Sequence, residues 1–491
     1  MTFIDNFLNK ITMYRLVLYC LIVIVGAAVL FEFVGILSNN PVELIFSVLV
    51  ILGTCWLVNT VFAWIFSVDT SVESIYITGL ILALIVTPVA ATDYAGTGFL
   101  VFVSAVAMAS KYIFAIGRKH IFNPAALGVA LGALALGQSA TWWVSESLAL
   151  LPFVLVGGLL IVRKIRRFDV VATFAAVAII TVAASASHGD YATSIVLTLL
   201  HSSFFFLSLV MLTEPLTMPS SRALRIAYGA LVGFLFVPNI HLGSFYFTPE
   251  LALLIGNAFV YAVSPNGRTI LTLIRKNKLA DATYEFVFKP DRPIIFRPGQ
   301  YLEWTLGHRF NDDRGNRRFF TIASSPTEKT VRLGVKFYSP ESSFKRALWN
   351  MKTNDTMSAS NVAGDFVLPR DPKKRLVFIA GGIGVTPFRS MMQYLIDTKD
   401  ARAVTLLYSN KTAIDIAYKD VFDRASREIG TKIVYTTMID AEFITREVTD
   451  YKERTFYVSG PHGMVTAFEK TLADMGVSGF CIKTDYFPGY A

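Results

Sequence analysis

The positively charged residues of this chain are distributed so unevenly that they constrain its architecture. Residues 1–262 are almost continuously apolar and hold only eleven lysines and arginines. These are Lys10, Arg15, Lys111, Arg118, Lys119, Arg163, Lys164, Arg166, Arg167, Arg222 and Arg225. If the apolar stretches are membrane helices and the N-terminus is inside, all eleven lie on the inner side, which is the bias that sets membrane topology. The sequence therefore predicts a multi-pass protein of the cell membrane whose N- and C-termini are both cytoplasmic.

Ten apolar stretches are close to the length of about 20 residues that a bilayer-spanning helix needs. They cover residues 15–37, 42–66, 74–92, 97–117, 121–138, 147–163, 168–187, 193–213, 224–239 and 247–264. The connections on the outer side are short, so no folded domain is expected there. The first predicted domain is thus a polytopic α-helical membrane domain over residues 1–264, with about ten transmembrane helices.

Composition narrows the classes of partner and cofactor. The chain has 491 residues, of which 54% are hydrophobic, so several domains are expected and a large part lies in a membrane. Residues 1–262 hold eleven acidic residues as well as the eleven basic ones, so the net charge of +9 lies entirely on the remainder. Attraction to the anionic inner leaflet explains this charge best, with a nucleotide phosphate as the second explanation. The basic residues are dispersed, so we expect no nucleic acid.

Cysteine usage excludes two further classes. Only Cys20, Cys55 and Cys481 occur, without any Cys-x-x-Cys spacing. An iron–sulfur centre is therefore excluded, and so is a disulfide framework. We expect no metal site.

Two segments interrupt the helical pattern on the inner side. In the first, Asn123 is a good N-cap, and Pro124 can begin a helix without losing a needed N–H group. In the second, Leu212–Pro219, one carboxylate, two threonines and two prolines lie at the membrane face. Irregular backbone at that depth is tolerated only inside protein or beside a cavity. The second segment also fits an ordinary helix end terminated by proline.

The segments Asn123–Gly128, Thr213–Pro219 and Arg225–Gly229 resemble the membrane flavoprotein family that contains the Rnf D subunit and the B subunit of sodium-pumping NADH:quinone reductase. Its members have ten helices, hold flavin and move electrons. The resemblance implies that four residues border a flavin or quinone pocket at the cytoplasmic side, namely Asn123, Thr213, Glu214 and Thr217. The family's Asp-x-x-(Ser/Thr)-Gly-Ala-Thr motif for covalent flavin is incomplete here. Any FMN or riboflavin in the membrane domain is therefore expected to be non-covalent.

Downstream of the membrane domain the sequence pattern changes. Alternation of apolar and polar residues predicts short strands at Tyr284–Phe288, Tyr301–Trp304 and Val331–Val335, which suggests an antiparallel β-barrel over residues 265–372. From residue 373 to residue 491, strands alternate with helices, which is typical of an α/β domain with a parallel sheet. Ligands bind beyond the carboxyl ends of such strands.

The order of these two domains and their motifs resembles the ferredoxin–NADP reductase superfamily, over about residues 270–491. Arg318–Thr321 matches the family's Arg-x-(Tyr/Phe)-(Ser/Thr) signature. A guanidinium suits a flavin pyrophosphate, an aromatic ring suits the flavin plane, and a hydroxyl suits the flavin N5. The resemblance implies that FAD is held by Arg318, Phe319, Phe320, Thr321, Ser342 and Ser343. Ser342 and Ser343 fit a simple helix cap equally well.

Val377–Pro387 carries the strongest motif, an apolar strand followed by three glycines and the start of a helix. It resembles the nicotinamide-nucleotide turn of that superfamily, together with the last-strand segment Tyr457–Pro461. The resemblance implies nucleotide contacts from Gly381, Gly382, Gly384, Thr386, Pro387, Gly460 and Pro461. Ser459 replaces the family's usual cysteine beside the nicotinamide. No arginine follows Asn410, so NADH is favoured over NADPH.

The chemistry is expected to involve three residues directly. Thr321 would face the flavin N5 and Ser459 the nicotinamide. Phe487 would cover the second face of the flavin, with Tyr490 as the other candidate. Packing in the core is the alternative role for this aromatic residue.

These features predict an FAD-dependent NAD(P)H dehydrogenase that passes single electrons to a lipid quinone or to an extracytoplasmic flavin-type acceptor. Two alternatives stay open. Glu32 and Glu214 are lone carboxylates in apolar stretches, and they would also suit a transport or channel protein with a regulatory reductase domain. The chain could also form an oligomer or be the NADH-input subunit of a larger ion-translocating complex.

Overall fold

The computed structural model describes residues 7–8, 11–66, 72–116, 119–186, 190–219, 221–243, 245–263, 267–308, 312, 315–339 and 341–487, without the side chains of Lys119, Tyr486 and Phe487. The chain divides into two compact units. Unit A is Ile11–Gly267, and unit B combines Met1–Lys10 with Arg268–Ala491.

Unit A is built from helices. In chain order they are α1 (Met13–Phe33), α2 (Pro41–Phe66), α3 (Val72–Ile85), α4 (Tyr94–Ile113), α5 (Pro124–Leu136), α6 (Trp143–Glu146), α7 (Leu151–Ile165), α8 (Phe168–Ser185), α9 (Tyr191–Leu200), α10 (Phe204–Phe206, continued by a π-helix over Leu207–Met211), α11 (Arg222–Leu235) and α12 (Pro249–Val263). Two hairpins connect them, β1 (Ala115–Ile116) with β2 (Lys119–His120), and β3 (His241–Leu242) with β4 (Phe245–Tyr246).

Each of the ten predicted spans contains a helix, but the helices differ in length. Among the described residues, α1, α2, α4 and α8 are long and apolar enough to cross a membrane. A fifth candidate is the pair α9–α10, which is bent by 60°. The other helices are shorter because prolines, glycines and polar residues begin or end them. The structure therefore supports several membrane helices, and ten crossings remain a prediction.

Glycines bring two pairs of helices together in unit A. A Cβ atom on Gly128 of α5 would lie 2.5 Å from the carbonyl oxygen of Val103 in α4. A Cβ atom on Gly233 of α11 would lie 2.6 Å from the carbonyl oxygen of Phe174 in α8. Backbone groups rather than side chains fill these contacts, so larger residues cannot be accommodated without a shift. Small residues at helix crossings are typical of packing in membranes.

Unit B begins with an antiparallel sheet. Its strands are β5 (Thr269–Ala280), β6 (Thr283–Pro290), β7 (Tyr301–Thr305), β8 (Arg317–Thr321), β9 (Val331–Lys336) and β10 (Thr356–Ala363). They follow the order β8-β7-β10-β5-β6-β9. The backbone N–H of Ala323, just after β8, donates to the carbonyl of Arg332 in β9 (2.9 Å), which brings the two edges together. The interior is filled by large apolar side chains such as Phe286 and Trp304.

The second half of unit B is a parallel sheet with helices. The sheet order is β13-β12-β11-β14-β15, from β11 (Leu376–Gly381), β12 (Val404–Ser409), β13 (Lys432–Thr436), β14 (Thr455–Pro461) and β15 (Ile482–Phe487). The helices are α13 (Ser343–Asn350), which belongs to the barrel half, then α14 (Thr386–Thr398), α15 (Lys419–Ile429), α16 (Ala441–Glu447) and α17 (His462–Asp474). Every residue of the central strand β11 is buried, because the sheet has cover on both faces. The barrel followed by a parallel sheet agrees with the predicted fold class.

Candidate functional site

The carboxyl ends of β11 and β14 lie side by side and form the edge at which a ligand of a parallel sheet binds. Ala380 is paired with Ser459 in the parallel register, so Gly381 and Gly460 follow at the same level. A Cβ atom on Gly381 would lie 2.1 Å from the sulfur of Met464 in α17. The side chain of Met464 therefore packs directly on the backbone at Gly381, and a larger residue at this position would collide with it.

The turn after β11 requires glycine for two different reasons. Gly382 has a φ of +53°, a region that favours glycine. A Cβ atom on Gly384 would lie 2.5 Å from the carbonyl oxygen of Ser459. The turn leads into α14, where Pro387 occupies an early position and the hydroxyl of Thr386 donates to the carbonyl of Ile383 at 3.2 Å. The predicted turn and helix start are present as expected.

The hydroxyl of Ser459 is completely buried and has no hydrogen-bond partner among the described residues. Buried hydroxyl groups are normally paired, because an unpaired one costs about 1–3 kcal/mol. An unpaired hydroxyl at the ligand edge of the sheet can be satisfied by a polar group of the ligand. The position therefore fits the carboxamide of a nicotinamide.

Tyr408, at the end of β12, supports the same turn from the other side. Its hydroxyl donates to the carbonyl of Gly382 (3.1 Å) and accepts from the backbone N–H of Ala417 (3.3 Å). Burial raises the pKa of the Tyr408 hydroxyl to about 12, so it remains a donor at neutral pH. Sequence reasoning missed this residue, since a tyrosine ending an apolar strand is ordinarily core.

The predicted FAD residues of β8 point in alternating directions. Arg318 and Phe320 both contact Phe344 of α13, with the guanidinium 5.2 Å and the phenyl ring 5.9 Å from its ring centre. Phe319 faces the other way, where it is half-exposed and packs edge-on against Tyr301 at 5.7 Å. Thr321 ends the strand and is buried. The guanidinium and the ring of Phe320 are thus brought together, whereas Phe319 is separated from them.

An acidic side chain already contacts the N-terminus of α13. Ser342 is the N-cap, and its hydroxyl accepts from the backbone N–H of Lys345 (3.3 Å). The backbone N–H of Ser343 donates to Oδ2 of Asp312 (2.8 Å), and Oδ1 of Asp312 lies 3.5 Å from Arg318. The carboxylate of Asp312 therefore occupies a position between a helix N-terminus and a guanidinium, where a phosphate would bind. The donor set fits the pyrophosphate of FAD.

The predicted C-terminal aromatic residues, Phe487 and Tyr490, follow the last strand of the parallel sheet or end it. The backbone of Phe487 ends β15, opposite Pro461, but its side chain lies outside the described residues. Tyr490 also lies outside them. The role of Phe487 at the flavin therefore remains a prediction.

In unit A, three of the four predicted pocket residues meet at one carboxylate. The side-chain amide of Asn123 donates to Oε2 of Glu214 (2.9 Å), and the hydroxyl of Thr217 lies 3.3 Å from the same oxygen. Nε2 of His120 lies 3.2 Å from Oε1. Thr213 does not join this cluster, because its hydroxyl donates to the carbonyl of Leu209 one turn earlier (2.9 Å).

Two members of this polar cluster were missed from the sequence. His120 was given no role in the predicted pocket, and Asn257 lies within an apolar run. The side-chain oxygen of Asn257 accepts from the backbone N–H of Asn123 (2.8 Å), and its amide donates to the hydroxyl of Tyr228 (3.3 Å). A buried asparagine in the middle of an apolar helix was the available signal. Because these side chains bond to one another, they show no donor set prepared for a membrane flavin.

Two sequence profiles match the chain. The NQR2, RnfD, RnfE family matches residues 146–265, and an oxidoreductase NAD-binding domain matches residues 378–470. Among curated relatives, the flavohemoprotein of Bacillus cereus is 26% identical over 241 residues, which cover 44% of this chain and 60% of the relative. The flavohemoprotein of Candida albicans is 29% identical over 223 residues, which cover 41% and 52%. The chain thus matches about half to three fifths of these proteins.

Oxidoreductase NAD-binding domain-containing protein 1 of Pongo abelii is 31% identical over 218 residues, which cover 37% of this chain and 67% of the relative. Among solved structures, a flavohemoglobin from Malassezia yamatoensis gives a TM-score of 0.43 at 19% identity and covers 64% of this chain and 79% of that chain. The chain therefore belongs to the proteins that carry an oxidoreductase NAD-binding domain, and its residues 146–265 are similar to the NQR2, RnfD, RnfE family.

Proposed function

We propose that this protein is a membrane-bound FAD-dependent NAD(P)H oxidoreductase that delivers electrons to a quinone or to an extracytoplasmic flavin-type acceptor. The single observation that carries the proposal is the buried, unpaired hydroxyl of Ser459 beside the close-packed turn at Gly384. Flavohemoproteins, to which unit B is similar, carry flavin by name.

Different residues of unit B are proposed to bind different parts of NAD(P)H and FAD. The turn Gly381–Pro387 opens α14, whose N-terminus favours a dinucleotide phosphate. Ser459 orients the nicotinamide through its hydroxyl. Arg318 and the N-terminus of α13 would hold the flavin pyrophosphate, and Thr321 would form a hydrogen bond to the flavin ring. Bound FAD would accept a hydride and release single electrons.

The membrane part of the proposal is a ten-helix domain in the cell membrane, with both chain termini in the cytoplasm. The absence of lysine and arginine from the expected outer connections supports this orientation. A non-covalent FMN or riboflavin in this domain remains an expectation from the family resemblance alone, and no step of the mechanism depends on it. NADH is proposed as the preferred donor.

The assignment is tested with purified full-length protein and a pair of neighbouring variants. Arg318→Ala should lose FAD and with it NADH oxidation by ferricyanide. Arg317→Ala should keep both, because Arg317 lies 3.3 Å from Glu303 on the other face of the strand. Acid precipitation followed by flavin extraction counts FAD, FMN and riboflavin per chain. Wild-type protein that neither contains nor takes up FAD would refute the proposal.

A further inference from the structure

In unit A, both carboxylate oxygens of Glu214 are in contact with polar side chains. Asn123 and Thr217 contact Oε2, and His120 contacts Oε1. Asn123 is itself fixed at its backbone by Asn257. This arrangement leaves the carboxylate little freedom, and it determines the position of the imidazole ring that touches it.

Within the described chain, His120 is the one member of this cluster whose side chain has a polar atom without a hydrogen-bond partner. Its Nε2 is used by Glu214, whereas Nδ1 has no hydrogen-bond partner within the part of the chain that the structure describes. The side chain is 12% exposed, so it lies close to the surface of unit A without being immersed in water. It ends strand β2 of the hairpin β1–β2, in a segment expected at the cytoplasmic side.

A carboxylate and an imidazole in contact form a unit that stores and returns a proton. Histidine is the side chain that changes charge near neutral pH, and a neighbouring carboxylate stabilises its protonated form and fixes its orientation. Electron transfer by itself does not need such a unit. It is needed where the acceptor takes up protons together with electrons.

Resting on the proposed function, we infer that His120 is the proton donor to the electron acceptor, that Glu214 is its positioning residue, and that the acceptor is a membrane quinone. A quinone becomes a quinol by taking two electrons and two protons, and its two carbonyl groups become hydroxyl groups. NADH oxidation in unit B supplies both electrons. His120 gives one proton from its ring, is reprotonated from water on the cytoplasmic side, and gives the second.

The experiment uses full-length protein in liposomes that contain a decyl-substituted benzoquinone, with NADH added outside. Two acceptors are compared, since ferricyanide takes electrons without protons and the quinone needs both. His120→Gln should lower kcat for the quinone about a hundredfold, the usual range for loss of a general acid. Its KM for the quinone and its rate with ferricyanide should not change.

Two further variants separate proton donation from structural damage. His120→Ala should recover part of its quinone activity when imidazole is added, which a collapsed site would not do. His241→Gln is the matched control, because His241 is exposed, and in the described chain its ring packs on Tyr246 and forms a hydrogen bond only with the carbonyl of Gly243. It should behave as wild type with both acceptors.

The outcomes distinguish the inference from the proposed function. If wild-type protein reduces ferricyanide and His120→Gln keeps the full quinone rate, the role of His120 is refuted and the reductase assignment stands. If His120→Gln slows ferricyanide and quinone equally, or imidazole restores nothing, the role of His120 as donor is refuted as well. If wild-type protein does not oxidise NADH with ferricyanide, the proposed function fails and the inference fails with it.

Discussion

Arg389 of helix α14 forms a two-point ion pair with Glu328 of the barrel half of unit B, with Nη2 3.1 Å from Oε1 and Nη1 in contact with Oε2. The Nη1 atom also donates to the carbonyl of Ala323. Arg332 contacts the same carboxylate at 2.9 Å. The flavin and nucleotide halves are thus joined by buried charges next to the turn that begins α14.

The first prediction concerns this ion pair. Glu328→Gln should lower the free energy of unfolding of unit B by about 3–5 kcal/mol, because Arg389 is left buried without its counter-charge. Chemical denaturation of full-length protein, monitored by flavin fluorescence, measures the change. Glu428→Gln breaks an exposed pair with Arg424 and should cost less than about 1 kcal/mol. Equal effects of the two substitutions would contradict the prediction.

Stability should also depend on pH through Glu328. Burial by itself would raise the pKa of the Glu328 carboxyl, but the hydrogen bond and charge of Arg389 outweigh it and bring the pKa below its usual value of 4.5. The ionised carboxylate therefore stabilises the fold above about pH 4.5, and this contribution is lost as the pH falls through the lowered pKa. The difference in melting temperature between wild type and Glu328→Gln should stay constant from pH 7 down to about pH 5 and should shrink as the pH falls below about 4.5. A constant difference would exclude this linkage.

Ser459 offers a test of ligand binding that is independent of folding. Ser459→Ala removes a buried hydroxyl that has no partner in the described chain, so stability should be unchanged or higher by about 1 kcal/mol. The KM for NADH should rise, since the nicotinamide loses a hydrogen bond. Ser459→Cys restores the residue usual in the resembling superfamily and should retain activity. A clear loss of stability in Ser459→Ala would mean that the protein itself uses this hydroxyl.

Adding a single methyl group should affect stability and NADH binding most strongly at Gly384. Gly384→Ala places a Cβ atom 2.5 Å from the carbonyl oxygen of Ser459, and the strand end must move. We expect a loss of about 1–3 kcal/mol together with weaker NADH binding, measured by titration of flavin absorbance under anaerobic conditions. The control is Gly463→Ala in α17, where no atom lies within 4 Å of the added carbon. Tight NADH binding by Gly384→Ala would show that the turn tolerates movement.

Asp312 should compete with FAD. Its carboxylate contacts the backbone N–H of Ser343, so it must leave before a pyrophosphate can use that donor. Asp312→Asn should therefore tighten FAD binding about three- to tenfold, as measured by fluorescence titration of flavin-free protein. Asp355→Asn, which alters a turn at Lys352, should not. Weaker binding in Asp312→Asn would instead identify the carboxylate as a supporting group for FAD.

Sequence predicted the parts of the fold that depend on local pattern. The strands around Phe286 and Leu333 show apolar alternation, and β11 is an uninterrupted apolar run followed by glycine. Strand β10 has a polar, small-residue sequence, and it becomes a strand only through pairing with β5 and β7. Strand β15 likewise depends on its partner β14. Such pairings between distant segments leave no periodic signal.

The same limit applies to the sites. The glycine turn and Arg318 were recognised because their spacing along the chain is fixed by the ligand. His120, Tyr408 and Arg389 act through partners 94, 26 and 61 residues away in the chain. No single segment contains both members of any of these pairs, so only the folded structure identifies them.

The order of the parallel sheet has a consequence for biosynthesis. Strand β11 begins at Leu376 and lies at the centre, yet its neighbour β14 begins 79 residues later, at Thr455, and the edge strand β15 later still. The sheet therefore cannot be completed until translation has reached residue 487. By then the upstream helices have already left the ribosome. Until then an apolar strand has one unpaired edge, which invites association with other chains. Assembly of the nucleotide-binding half should thus follow synthesis of the upstream helices and should be the step most dependent on chaperones.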